Sequence, residues 1–343
     1  MGWTMRTVKR MRNTFLACAL YGFCVLAPSR AEEASPPSPG TPATLMLLWT
    51  PQSQFAGYYV ALEKGFYRQH GLDVTLVRGG PDRDQVEYLK SGKADFSILW
   101  LTTALAAWDK GDPVLHLGQV INRSNLALVG WKDRGIRTVK DLDKRRISIW
   151  GGSFRPAFMS YFRANSVKPD ILLQNYSINL FLRHGVDACS VMRYNEYHVL
   201  YQCGIEQDEL TTFFLSDFDC PLPEDGLYCL ENTFREKPDV CRAIVEASLE
   251  GWRYAADHRE EALDIVMKEV REAHVPTNRA HMRWMLDTML ESIFPAKPGD
   301  WQVGMLHADA YRKTVKMLKQ AGLISDAPPF KSFTVQEERV HAP

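Results

Sequence analysis

Residues 45–71, LMLLWTPQSQFAGYYVALEKGFYRQHG, constrain the fold more than any other stretch of the chain. The apolar run from Leu45 to Trp49 has strand character, and Pro51 starts a loop. An amphipathic helix is expected next, opening near Ala56 and Gly57 and closing at Gly71. Arg68 and His70 fall in its last turn, where cations suit the helix dipole. A second apolar run, Leu72 to Val77, follows at once. Strand, crossover helix and strand make a parallel pair with a right-handed connection. In open sheets of this kind ligands settle beyond the carboxyl ends of the strands, near helix N-termini. Trp49, Gln52, Gln54, Phe55 and Tyr58 stand at that end and form a candidate binding lip.

The alternation continues. Strands are predicted at 94–99, 114–120, 126–131, 146–150, 171–175, 188–192 and 211–216, with helices and glycine-terminated turns between them. That order argues for the α/β class. From Pro238 the pattern turns helical, with segments at 238–256, 258–273, 278–293 and 305–321. A free tail of four helices would need its own core, so this block is expected to pack back on the first lobe. The organisation predicted is two lobes with a hinge: 44–135 and 222–335 in the first, 136–221 in the second, and a frayed tail over 336–343.

The N-terminus reads as an export signal. Arg6, Lys9, Arg10 and Arg12 precede an apolar run, Phe15 to Ala27, and Ser29-Arg30-Ala31 places small residues at the cleavage positions. The run is short for a membrane span, which makes an uncleaved anchor the weaker alternative. Residues 32–43 (EEASPPSPGTPA) are expected to be an unstructured tether after a signal over 1–31. The formal charge is zero, but removing the signal leaves 36 basic against 41 acidic residues. A mildly acidic chain without a basic face is not built for nucleic acid. Five cysteines remain, and an exported chain permits disulfides. Cys220 and Cys229 flank the turn-rich CPLPEDGLYC, so they form either a bridge or two separately buried thiols. No spacing suggests a zinc site, and no cofactor is expected.

Three groups are candidates for chemistry. Gly151-Gly152-Ser153 lies between a strand and a helix, where free backbone amides attract anions. The plainer alternative is a glycine turn with Ser153 capping the helix. Tyr194, Asn195 and Glu196 follow the strand 188–192. Glu196 would accept from an amine, and Asn195 offers both donor and acceptor; simple dipole stabilisation is the other reading of Glu196. Trp100, with Trp49 and Phe55, would stack on a flat ligand, although core packing explains any one of them taken singly. No nucleophile elbow accompanies the histidines, and no catalytic set is visible.

Trp49-Thr-Pro, Gly57-Tyr-Tyr-Val-Ala-Leu-Glu-Lys-Gly-Phe-Tyr and Gly71-Leu-Asp-Val resemble the start of type II periplasmic solute-binding proteins of ABC importers. The narrower resemblance is to the branch of thiamine pyrimidine synthases and of pyrimidine- and sulfonate-binding proteins. Ser91-Gly-Lys-Ala-Asp95, the Gly-Gly-Ser turn, Met192-Arg-Tyr-Asn-Glu196 and Glu224-Asp-Gly-Leu227 follow in the family's order, over about residues 45–325. The resemblance implies two α/β lobes with ligand held in the cleft, and it adds Asp225 to the ligand-binding candidates.

Departures bear on activity. Aligned without gaps from Ser91-Gly92-Lys93, this chain has Leu99 and Thr103 where the eukaryotic pyrimidine synthases carry a cofactor-binding lysine and a consumed histidine. Without that lysine no Schiff base forms there. The function expected is therefore a periplasmic, monomeric receptor without enzymatic activity. It delivers a small, flat, nitrogen-containing ligand of the thiamine-precursor pyrimidine type to an ABC permease in the inner membrane. The alternatives are a synthase-like enzyme and a ligand-sensing module for a membrane kinase.

Overall fold

A computed structural model describes residues 40–218, 222–295 and 302–336. The signal at 1–31, most of the tether, Cys220 and the tail beyond 336 lie outside the described residues. In the first sheet, β1 (Thr41–Met46) pairs in parallel with β2 (Leu72–Val77) and with β3 (Phe96–Trp100). Strand β1 starts at Thr41, inside the expected tether, because residues 41–46 match β2 one for one and satisfy their backbone groups there. The run from Leu47 to Trp49, read as strand, continues instead into a loop.

Between β1 and β2 stand α1 (Ala56–Glu63) and α2 (Phe66–Gln69), parted at Gly65, whose φ of 75° is left-handed. Helix α3 (Gln85–Lys90) precedes β3; its cap, the Asp84 carboxylate, accepts from the amides of Val86 and Glu87. Helix α4 (Leu101–Asp109) leads to β4 (Val114–Gln119), the sheet's far edge.

The chain then crosses to a second sheet through residues 120–125. There β5 (Leu126–Trp131) runs antiparallel, followed by β6 (Arg146–Trp150), α5 (Arg155–Ala164), β7 (Asp170–Gln174), α6 (Asn179–Leu182), β8 (Ala188–Met192), α7 (Glu196–Gln202) and β9 (Leu210–Phe214). Their order is β7-β6-β8-β5-β9. Strand β10 (Asp225–Leu230) returns to the first sheet, antiparallel between β3 and β4, giving β2-β1-β3-β10-β4. Each lobe is thus a parallel sheet with one antiparallel strand inserted. The expected change of lobe near 135 is displaced to 120–125, because β5 pairs with β8 and β9 and not with the first sheet.

The two crossings are fastened together at Glu224. Its backbone N–H donates to Ile121 at 2.9 Å, and its carboxylate accepts from Ser124 Oγ, the Asn125 amide and Asn125 Nδ2.

Helices α8 (Glu231–Glu236), α9 (Pro238–Asp257), α10 (Arg259–Glu272), α11 (Arg279–Ile293), α12 (Ala308–Gln320) and α13 (Phe330–Phe333) complete the described chain. Helix α9 packs on α1, where the two backbones meet at glycines. A Cβ on Gly251 would come within 2.0 Å of the Gly57 carbonyl, and one on Gly57 within 2.3 Å of the Trp252 indole. Trp252 and Tyr58 fill this seam edge to face at 5.9 Å. Among the described residues, no helix is long and apolar enough to cross a membrane.

Candidate functional site

The carboxyl ends of both parallel sheets point at one cavity of about 340 Å³, within the range of small-molecule sites. Trp49 and Gln52 reach it from the loop after β1, and Gln54 from the short turn before α1. Trp100 closes it at the end of β3. From the second lobe come Trp150 at the end of β6, Ser153 and Phe154 of the following turn, Tyr176 after β7, and Tyr194 to Glu196 after β8.

Its walls are aromatic from both sides. Trp49 and Tyr176 meet across the mouth, with ring centroids 4.9 Å apart and planes tilted by 50°. Deeper, Trp100 meets Phe154 edge to face at 4.6 Å, and Phe154 lies 5.7 Å from Trp150. The indole N–H of Trp150 donates to the Asn175 carbonyl at 3.2 Å, which fixes its plane.

Polar groups are interleaved with these rings, and several hold one another. Asp225, 1 % exposed, accepts from Trp100 Nε1 at 3.0 Å and from Gln54 Nε2 at 2.8 Å. Gln54 Oε1 in turn accepts from Gln52 Nε2 at 2.6 Å. Because a carboxylate only accepts, the whole relay has one direction. Burial raises Asp225 to about 7, against the lowering effect of those two donors. Burial likewise raises Glu224 to about 8.

Glu196 accepts from the Met192 amide and from Asn195 Nδ2, each at 3.0 Å; burial raises its pKa above the ordinary carboxylate value. Arg83 is the one cation among the described lining residues and Glu196 the one anion. Arg83 sits at the rim, its guanidinium 3.8 Å from Asp82. Among the described residues, no ion pair engages Glu196, Glu224 or Asp225, and no cluster of three metal-ligating side chains exists.

Of the residues singled out in the sequence, Trp49, Gln52, Gln54, Trp100, Ser153, Tyr194, Asn195 and Glu196 line the cavity. Phe55 and Tyr58 do not: both are fully buried in the core, Tyr58 against Trp252, because α1 is covered on nearly every side. Gly151 and Gly152 shape the turn without lining the cavity; Gly152 needs it, with φ at 57°. Asp225 acts from behind the wall through Gln54 and Trp100.

Sequence reasoning missed Trp150, Phe154 and Tyr176. Trp150 had the same signal as Trp100, an aromatic ending a strand. Cys229 is a buried free thiol hydrogen-bonded to Cys241, while its expected partner Cys220 lies outside the described residues.

Two lobes joined by two crossings, with a cavity where their strand ends meet, define the periplasmic-binding-protein class of fold. The solved structure of a putative periplasmic sulfonate-binding protein, SsuA of Methylobacillus flagellatus, shares that fold with a TM-score of 0.66. It is 15% identical and the match covers 86% of this chain and 92% of that one. Residues 52–262 match the family described as NMT1/THI5 like, and the chain belongs to it. Relatives include the riboflavin-binding protein RibY of Chloroflexus aurantiacus, 24% identical over 311 residues and covering 87% of each chain. The formylaminopyrimidine-binding protein of Halalkalibacterium halodurans is 22% identical over 304 residues, covering 82% of this chain and 87% of that one.

Proposed function

We propose that this protein is a monomeric periplasmic receptor that holds a small, flat, nitrogen-containing ring between its lobes and delivers it to an ABC permease. The observation that carries the reading is the aromatic wall contributed by both lobes: Trp49 and Trp100 face Tyr176, Phe154 and Trp150 across one cavity. Such walls stack on a flat ring, each contact adding about 0.5–1.5 kcal/mol beyond buried area. Glu196 would take an amino group of the ring, and Asn195 a ring nitrogen. Relatives named for a formylaminopyrimidine and for riboflavin support a flat heteroaromatic ligand, with a pyrimidine of the thiamine-precursor type as our choice.

Catalysis is not part of this reading. Leu99 is fully buried in the core, Thr103 lines the cavity, and no lysine lies among the described lining residues. Adding pyridoxal phosphate should therefore leave no lysine-linked adduct in the cleft.

The test is calorimetric titration of the mature protein and of Glu196→Gln with an aminopyrimidine, riboflavin and an alkylsulfonate. The aminopyrimidine should bind, and loss of the charge should weaken it about ten- to a hundredfold, the worth of a charge-assisted hydrogen bond in a closed site. Tight sulfonate binding that ignores the substitution would overturn the assignment.

A further inference from the structure

Asn195 lines the cavity, and its amide is held from behind by His281, which is itself bonded to His198. Its Nδ2 donates to Glu196 Oε1 at 3.0 Å, so its Oδ1 is the atom that meets His281 Nε2, also at 3.0 Å. His281 must therefore carry its proton on Nε2. Its Nδ1 lies 2.9 Å from Nδ1 of His198, and the two ring planes are 5° from parallel, so that contact is an in-plane hydrogen bond. With Nδ1 of His281 bare, Nδ1 of His198 supplies the proton. The chain thus has one consistent direction, from His198 through His281 and Asn195 to Glu196.

The chain also spans elements that nothing local would bring together. Helix α11 packs on α10 and on the turn at Ser53–Phe55 of the first lobe, whereas Asn195 and His198 belong to the β8–α7 region of the second. Asn278 caps α11 by accepting from the His281 amide at 2.9 Å, which sets the ring's origin. Trp284, one turn on, covers the His198 ring at 4.7 Å and donates its N–H to the Arg193 carbonyl. The other charged groups near His281 on α11 look away from it: Arg279 and Arg283 pair with Glu260 of α10, and Arg279 also with Asp264.

We propose that His281 is a positioning residue that, together with Glu196, fixes which way the Asn195 amide faces, and so makes the cleft select a ring bearing a hydrogen-bond acceptor beside an amino group. Held this way, the amide keeps its second N–H for a ring nitrogen, while Glu196 beside it accepts from an amine. A flipped amide would set two acceptors, Oδ1 and the Glu196 carboxylate, against each other. His281 suits the task because it stays neutral: burial, and His198 beside it, lower it to about 4. This inference rests on the cleft being the ligand site.

The experiment compares wild type, His281→Gln and His281→Leu. Nitrogen-15 NMR of the ligand-free wild-type protein should show His281 protonated on Nε2 and His198 on Nδ1; the opposite tautomers would overturn the assignment. Titration with an aminopyrimidine should show about a tenfold loss of affinity in His281→Leu. His281→Gln, whose amide can still donate to Asn195 Oδ1, should stay within about threefold of wild type, with unfolding temperatures reported alongside. Equal affinity of Leu and wild type, or an equal loss in Gln and Leu, would overturn the proposal. A wild type that binds no amino-substituted ring would sink the ligand assignment instead, and the tautomer measurement would still decide the chain.

Discussion

The indole N–H of Trp100 donates to Oδ1 of Asp225 at 3.0 Å, and the two residues are direct antiparallel partners on β3 and β10. The pairing of the strands therefore delivers a buried carboxylate to the edge of a cavity-wall ring. The other oxygen of Asp225 holds Gln54, which holds Gln52. One side chain behind the wall orients three on it.

That carboxylate makes stability depend on pH in a defined direction. Asp225 at about 7 and Glu224 at about 8 bind their protons more tightly folded than unfolded. Their favourable share is complete below the unfolded carboxylate value and is lost as pH rises through the folded values. His116, lowered to about 3, and His281, lowered to about 4, act oppositely, but only below the ordinary histidine range. Between about pH 6.5 and 8.5 the carboxylates should dominate, so the unfolding temperature should fall across that window. Asp225→Asn and Glu224→Gln should each flatten the slope. A wild-type unfolding temperature that rises there would refute the account.

The mouth of the cavity should answer to substitution without a cost in stability. Tyr176 is 69 % exposed and touches Trp49, so little core depends on it. Tyr176→Ala should weaken ring binding about three- to tenfold, measured by quenching of tryptophan fluorescence, with an unchanged unfolding temperature. Unaltered affinity would mean that the pair does not contact ligand.

Gly251 is the opposite case. An alanine there would drive its methyl into the Gly57 carbonyl and the Ala61 backbone, neither of which can yield without moving α1 off α9. Gly251→Ala should cost about 1–3 kcal/mol in chemical unfolding, the usual range for overpacking. Because α1 follows the turn that carries Gln54, affinity should fall as well. A variant as stable as wild type would show that the seam has slack.

Thiol reactivity should follow burial. Cys203 is exposed, whereas burial pushes the Cys189 thiol above its ordinary range, and a hydrogen bond to Cys241, with burial, does the same for Cys229. Brief alkylation of the native protein near neutral pH, read by mass spectrometry, should label Cys203 and spare Cys189 and Cys229. Labelling of Cys189 at the same rate would contradict the buried position of β8.

Much of this site was readable because it follows a topological rule. Trp49, Trp100, Ser153 and Tyr194 to Glu196 all stand where strands of a parallel sheet end, and those places are visible in the chain. Trp150 obeys the same rule and was passed over beside the more conspicuous glycines. Phe55 and Tyr58 misled because α1 is buried on nearly all faces, so its pattern shows no side that meets ligand. The change of lobe was placed late because an antiparallel strand such as β5 looks the same in sequence whichever sheet it joins. The bond between Asn195 and His281 joins residues 86 positions apart, and no local pattern records it.

The fastening at Glu224 has a mechanical consequence. Two ribbons of chain pass between the sheets, and the Glu224 side chain ties one to the other through Ser124 and Asn125, beside the Arg123–Asp217 pair. Ribbons fastened in this way cannot slide past one another without breaking those bonds. The tie shares no residue with the cavity lining, so the lining can be remodelled while the tie stands.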